Sequence, residues 1–404
     1  MSDHLGFHDA TAEDAAGARE LARVCEARLA AGIHRAANSA RLLVATAKGT
    51  VPGCTITDAA GLTEAASGRG IATEDRPLCD VAIELGETVI ARVEQSGSGL
   101  ADTPRAPMAR RLVWSAWRNG SARRGGGDWN VDAAVRAALC AAVDDGWGAS
   151  MTAVEIDDIL LGTPEPHRCV IGNGDETACE AVVGFSADAI HRVLGGEAGA
   201  CGASLVRAVR DGGVRGIALL LGPATAREGA GDVAERLIRG DVLVLAVGGP
   251  ATACARAGLM VPESSSRAGS GLRAVCEQAG CPPVLYMGPL AESPRLLAFC
   301  SGFAGDIGAA DLVRLPIAAI CVPARSDRLA GFAIGHCMVA SGINTIQAGG
   351  FPFDNAPQLR KYLTHDLAEA MGAGWFFAGD AGANTCPATA AERAIELIEA
   401  KRMG

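Results

Sequence analysis

Short apolar runs that end at or near glycine recur through the second half of the chain and predict the strands of a buried sheet. The six runs lie at 214–221, 242–247, 283–287, 316–321, 343–347 and 375–378. Helical patterns separate them, and apolar strands alternating with helices are typical of a parallel sheet covered by helices on both faces.

The first half of the chain has a different pattern, in which alanine and leucine dominate among interspersed charges. Residues 10 to about 50 predict a long helix, because no proline interrupts them. Residues 97–130 predict a loop-rich stretch. Helices are predicted over 132–144 and 151–161, and the second of these closes at a Gly-Thr-Pro turn.

Glycine and proline concentrate between these halves, at Pro166, Gly172, Gly174, Gly195 and Gly196. Such residues favour irregular structure, so we place a linker at 165–200. The resulting expectation is an α + α/β fold. A helical domain occupies 1–164 and a Rossmann-like parallel-sheet domain occupies 201–404.

The net charge, the apolar stretches and the first residues of the chain indicate which classes of partner and which cell compartment to expect. The 404 residues carry a formal net charge of -10, which argues against nucleic-acid and anionic-membrane partners. No apolar stretch approaches the roughly 18 residues that a membrane-spanning helix needs. The first residues, Met1-Ser2-Asp3-His4, lack the features of a secretory signal, so we expect a cytoplasmic protein.

The sequence contains 14 cysteines, an unusual number for a cytoplasmic protein. They form no C-x-x-C motif, and the tightest pair is Cys276 with Cys281. One interpretation is that most are small buried apolar residues. The other is that tertiary folding gathers some of them around a metal. The candidates for such a site are Cys276, Cys281, Cys300, Cys321, His336 and Cys337.

The first three predicted strands end at small, kinked turns: Gly222-Pro223, Gly248-Gly249-Pro250 and Gly288-Pro289-Leu290. Ligands of doubly wound α/β folds bind outside the carboxyl ends of the strands, so these turns are the expected binding edge. No G-x-G-x-x-G follows a strand, and the chain has no Walker sequence and no Gly-x-Ser-x-Gly elbow.

Three segments, 143–164, 240–259 and 271–288, resemble nickel-dependent anaerobic carbon monoxide dehydrogenases. The resemblance implies an N-terminal helical domain, two α/β domains and a homodimer. It also implies iron–sulfur clusters for electron transfer and a nickel–iron–sulfur site that oxidises CO with water.

Two departures from this family change what the resemblance implies. Chains of the family are longer, and their central α/β domain, which carries the ligating histidine and part of the cysteine set, is compressed here into 165–200. The remaining cluster cysteines of the family align with Pro223, Gly249 and Leu290, which cannot ligate a metal. We therefore expect the central domain to be missing and the protein to have no cofactor, neither nickel nor an iron–sulfur cluster.

Three hypotheses for function follow, none of which assigns a catalytic residue. The first is a degenerate relative that acts as a scaffold, an assembly or regulatory partner, or a ligand binder. The second is a redox enzyme of altered chemistry at a metal site built from the candidate thiols. The third is one subunit of a split complex. The expected partners are a second copy of this chain, or another carbon monoxide dehydrogenase-like or redox subunit.

Overall fold

Helices form the first part of the chain and a parallel sheet forms the second. The computed structural model describes residues 12–96, 148–161, 167–171, 178–185, 187–195, 203–223, 229–290, 293–322, 328–348, 351, 355–378 and 387–402. The predicted loop at 97–130 and the predicted helix at 132–144 lie outside the described residues. Within the described ranges, no helix combines the length and apolar character needed to cross a bilayer.

Among the described residues of the N-terminal part, four helices pack together: α1 (Ala12–Ala47), α2 (Ala59–Ser67), α3 (Leu78–Ser96) and α4 (Gly148–Leu161). Their shared core is built from fully or almost fully buried aliphatic side chains, among them Leu43, Leu62, Leu85, Ile156 and Ile159. Acidic side chains of α4 pair with arginines outside this core, as Asp157 does with Arg35 at 2.8 Å. The four helices therefore bury one apolar face each and leave their charges at the edge.

The predicted parallel sheet is confirmed. Its strands are β3 (Gly216–Gly222), β4 (Val242–Gly248), β5 (Val284–Tyr286), β6 (Ile317–Cys321), β7 (Asn344–Gln347) and β8 (Trp375–Phe377). The order across the sheet is β5-β4-β3-β6-β7-β8, and every neighbouring pair is parallel. Every residue of β3 and β6 is buried, which explains why these strands appear in the sequence as continuous apolar runs.

The helices of this part are α5 (Ala187–Gly195), α6 (Ala203–Arg210), α7 (Ala230–Arg239), α8 (Gly249–Arg256), α9 (Ser270–Ala279), α10 (Ser293–Ile307), α11 (Arg328–Ala340), α12 (Pro357–Lys361), α13 (Leu367–Met371) and α14 (Pro387–Arg402). A π-helical turn, Tyr362–Asp366, joins α12 to α13.

Helices cover both faces of the sheet, as the apolar strands predict. A Cβ on Gly216 would lie 2.6 Å from Ile398 of α14, whereas a Cβ on Gly335 of α11 would lie 2.7 Å from the sulfur of Cys321. Cys321 lies opposite Leu221 in the register of β3 and β6, so both point to the same face of the sheet. Leu221 is five residues after Gly216, and side chains alternate along a strand, so Gly216 and Cys321 lie on opposite faces of the sheet.

A β-hairpin lies within the stretch that the sequence predicts as an irregular linker. Its strands, β1 (His167–Ile171) and β2 (Cys179–Val183), are antiparallel, and the amide of Val182 donates to the carbonyl of Met260 at 2.7 Å. Five-residue strands that mix charged and thiol side chains give a weak period-two pattern, so the sequence analysis missed them. The domain boundaries, and the absence of the family's central domain, stay predictions.

Candidate functional site

The carboxyl ends of β3, β4 and β5 converge at one edge of the sheet. The amide of Gly248 donates to the carbonyl of Gly288 at 3.1 Å. A Cβ on Gly248 would lie 2.3 Å from the carbonyl oxygen of Gly222 and 3.2 Å from the Cβ of Leu290. The backbones of the three strand ends are therefore in close contact, and the φ of +72° at Gly248 suits only glycine.

Apolar side chains line this edge. Pro223 is buried, and its Cδ would lie 3.6 Å from a Cβ on Gly331 of α11. Gly249 is buried as the first residue of α8, and the half-buried Leu290 packs against the core. Sequence alignment predicted these three residues at the cluster positions of the family, and the structure puts all of them at the strand ends.

These residues do not fit an iron–sulfur cluster. A cluster is held mainly by cysteine thiolates, and Pro223, Gly249 and Leu290 provide only hydrocarbon side chains or none. Across the ranges that the structure describes, no three His, Cys, Asp or Glu side chains come together in a way that could hold a metal ion. We therefore derive no reaction step through a cluster at this edge.

A second, buried layer lies between α11 and the ends of β6, β7 and β8. Cys321, Gln347 and Phe377 lie opposite one another in the register of the three strands. Their side chains therefore point to the same face of the sheet, which α11 covers. The Oε1 of Gln347 is buried without a hydrogen-bond partner. Gln347 could not be predicted as a site residue, because a single glutamine at a strand end has no recognisable signal.

His336 of α11 is fully buried in this layer. The indole Nε1 of Trp375 donates to its Nδ1 at 2.5 Å, so the imidazole proton sits on Nε2. That Nε2 has no hydrogen-bond partner, and burial lowers the pKa of His336 to about 3. The neutral, oriented imidazole is held by an aromatic cluster in which Phe332 stacks on Trp375, with ring centroids 4.4 Å apart.

The other candidate thiols are buried on three different elements. Cys321 closes β6 beneath Gly335, and burial raises its pKa. Cys300 is fully buried on α10, where burial raises its pKa to about 12. Cys337 follows His336 on α11 and is 3% exposed. Thiols of this kind are unreactive in the packed protein, because the thiolate is the reactive form.

Two of the candidates do meet. Cys281 follows the end of α9, and its amide donates to the carbonyl of Cys276 at 3.1 Å, which places the two residues side by side. Both are almost fully buried, with exposures of 1% and 2%. The sequence indicated this pair through its close spacing, although two thiols alone do not make the metal site that was considered.

Comparison with known proteins identifies the relatives of this fold. The family model described as "Prismane/CO dehydrogenase family" matches residues 171–381, slightly more than half of the chain. This range includes the sheet, the hairpin strand β2 and the converging strand ends.

Curated relatives include carbon monoxide dehydrogenases of archaea and bacteria. "Carbon monoxide dehydrogenase 1" of Methanosarcina mazei is 36% identical over 234 residues, which cover 57% of this chain and 35% of the relative. The carbon monoxide dehydrogenase of Rhodospirillum rubrum is 29% identical over 267 residues, covering 63% of this chain and 40% of the relative. The alignment thus spans well under half the length of these relatives.

Solved structures with the same fold come from the same kind of enzyme. The Ni-free carbon monoxide dehydrogenase from Thermococcus sp. AM4 matches with a TM-score of 0.82 at 20% identity, covering 98% of this chain and 87% of that one. Carbon monoxide dehydrogenase IV from Carboxydothermus hydrogenoformans matches with a TM-score of 0.82 at 19% identity, covering 100% and 90%. At 19–20% sequence identity, the similarity to these structures shows that the fold is the same and shows nothing about function.

The expectation that this protein has no cofactor is wrong. The matching family model is that of prismane and CO dehydrogenase proteins, and a further similar structure is named for "NiZn[Fe4S4] and NiNi[Fe4S4] clusters" in its alpha subunits. The family thus implies metal clusters. The expectation rested on Pro223, Gly249 and Leu290. These residues show only that the ends of β3, β4 and β5 lack thiolate ligands at those three positions.

The parallel sheet, the converging strand ends, the match to the family model and the curated relatives all agree. The chain belongs to the prismane/CO dehydrogenase family.

Proposed function

We propose that this chain is a carbon monoxide dehydrogenase-like subunit that does not ligate the family's nickel–iron–sulfur site at the ends of β3, β4 and β5. It acts by binding, as an assembly or regulatory partner of another carbon monoxide dehydrogenase-like subunit.

One observation carries the proposal: the strand ends converge while their side chains are not ligands. The Cβ of Leu290 would lie 3.2 Å from a Cβ on Gly248, and Pro250 would lie 3.3 Å from a Cβ on Gly222. A framework that brings three backbones this close without a thiolate at Pro223, Gly249 or Leu290 supports a binding role.

The comparisons support a partner in a more limited way. One similar structure is named for alpha subunits of acetyl-CoA synthase/carbon monoxide dehydrogenase, so a protein of this fold acts within an assembly.

The decisive experiment restores the missing thiolates. We expect the triple variant Pro223→Cys, Gly249→Cys, Leu290→Cys to bind more iron and sulfide than the wild type after anaerobic reconstitution. The matched control carries serine at the same three positions, which repeats the size and polarity without a soft ligand. Iron and sulfide analysis of all three proteins gives the comparison.

Two results would contradict the proposal. An equal iron gain in the serine control would show that the added metal is not held at the strand ends. CO oxidation by the purified wild-type chain alone would show that the chain is itself a complete enzyme.

Partner binding has its own test. The tagged full-length chain, produced anaerobically together with a complete carbon monoxide dehydrogenase, is expected to elute with it in size-exclusion chromatography with light scattering. Separate elution at micromolar concentrations of both proteins would remove the partner role.

A further inference from the structure

Two thiols meet at the C-terminal end of α9, away from the strand ends. Cys276 lies in the last turn of the helix, Cys281 follows Gly280, and the amide of Cys281 donates to the carbonyl of Cys276 at 3.1 Å. Both belong to the apolar core beneath α9, which packs against α5 and α6.

The backbone at this helix end explains why the two cysteines are neighbours. Gly280 is left-handed, with a φ of +63°, and the amides of Gly280 and Cys281 both donate to the carbonyl of Cys276. This Schellman-type turn folds the chain back, so that the residue after the glycine contacts the last helical turn. In most proteins that contact joins two apolar side chains, whereas here it joins two oxidisable ones.

We infer that Cys276 and Cys281 form a redox-modification site, which closes as a reversible intramolecular disulfide by exchange with a low-molecular-weight disulfide. One protein thiolate attacks the small disulfide, forms a mixed disulfide and releases a small thiol. The other protein thiolate then displaces the second small thiol. Two protein thiols are oxidised, the small disulfide is reduced to two thiols, and the protons pass to the released thiolates.

Packing controls the rate of this exchange. Both thiols are almost fully buried, and the neighbouring Cys281 together with burial raises the pKa of Cys276, so little of its thiolate is present in the closed structure. Exchange therefore requires the last turn of α9 to open. Helix ends open at lower free energy than a whole domain, and Glu277 and Gln278 of this turn are exposed.

The test uses the reduced full-length chain under native conditions with oxidised glutathione as the probe. After alkylation in denaturant, trypsin releases both thiols in one peptide, 274–295, which contains no third cysteine. We expect this peptide to lose two hydrogens and its capacity for alkylation, and dithiothreitol to restore both. Low concentrations of urea, below those that unfold the protein, should speed the loss.

The peptide 240–256 provides an internal reference. It contains one cysteine, Cys254, which is fully buried and stays available for alkylation after denaturation. A peptide 274–295 that remains doubly alkylated, or that stops at a glutathione adduct, would overturn the inference.

A trivalent arsenical tests the proximity of the thiols without oxidation. Phenylarsine oxide condenses with two adjacent thiols, forms two arsenic–sulfur bonds and releases water. We expect the wild-type peptide to carry one phenylarsenic group and the Cys281→Ala variant to carry none. Failure of the wild-type protein to react would count against the site, and this result stands even if the variant does not fold.

Discussion

At the scale of single residues, the buried cysteines and histidine serve packing more than metal binding. Cys300 and Cys321 are fully buried, and His336 uses one ring nitrogen to accept from Trp375. A small thiol fills space in an interior of aliphatic side chains much as alanine or valine does. The structure therefore favours the first of the two interpretations of the cysteines for these positions.

His336 makes the stability of the protein sensitive to acid. Its pKa is lowered from 6.5 to about 3 by burial, so between these values the unfolded chain binds a proton that the folded chain does not. Stability is therefore lost as the pH falls below 6.5, by up to about 1.4 kcal/mol per pH unit from this group. We expect His336→Asn, which keeps an acceptor for Trp375, to reduce this slope in urea unfolding measured from pH 7 to pH 4.

The control for this prediction is His365→Asn, because His365 is exposed. An equal change of slope in the two variants would show that the acid sensitivity does not come from the buried ring.

At the scale of elements, the strand ends depend on glycine for their close contact. Gly248 combines a φ of +72° with a carbonyl oxygen 2.3 Å from where a Cβ would lie. Gly258, after α8, has a similar φ of +66° but no atom within 4 Å of that position. Gly248 also has a ψ of -143°, a backbone region that is essentially restricted to glycine, so backbone strain and steric contact both act there.

We expect Gly258→Ala to cost about 1–2 kcal/mol of unfolding free energy, from the left-handed backbone alone. Gly248→Ala should cost at least about 2 kcal/mol more, because the carbonyl of Gly222 and the Cβ of Leu290 must also move. Chemical denaturation of both variants measures the difference. Equal costs would mean that the strand ends are not in close contact.

At the scale of the whole molecule, an ion pair connects the helical part with the α/β part. Arg295 of α10 lies 3.4 Å from Asp158 of α4, and both side chains are largely buried, with exposures of 18% and 17%. α4 and α10 also pack against each other, so the pair lies within a contact between the two parts of the chain.

A double-mutant cycle with Arg295→Ala and Asp158→Ala should give a coupling energy of about 0.5–3 kcal/mol, because partial burial reduces solvent screening. The surface pair Arg393 and Glu396, with exposures of 45% and 62%, is the control and should give about 0.2–0.5 kcal/mol. Coupling in the first cycle no larger than in the control would show that the ion pair does not join the two parts energetically.

The strands of the sheet could be predicted from the sequence because the central ones are buried on both faces. β3 and β4 consist almost wholly of buried aliphatic residues, and such runs have few alternative structures. β1 and β2 could not be predicted in this way. In the hairpin the charged Arg168 is exposed while Val182 is buried, and the stability of the two short strands depends on contacts such as that with Met260.

The candidate site was only partly predictable for a related reason. The strand ends that hold Pro223, Gly249 and Leu290 follow from the strands themselves, because the carboxyl ends of parallel strands share one edge. The contact between His336 and Trp375 joins residues 39 positions apart and has no local pattern. Side chains that meet through the packing of separate elements cannot be paired from their spacing in one sequence.

The sequence by itself determined the helical and α/β character of the chain and the identity of the residues at the strand ends. Both are local properties, set by hydrophobic periodicity and by which residue occupies a given position. Tertiary structure alone decided which distant side chains meet. It brings Trp375 to His336 and Arg295 to Asp158, because packing between separate elements sets those distances.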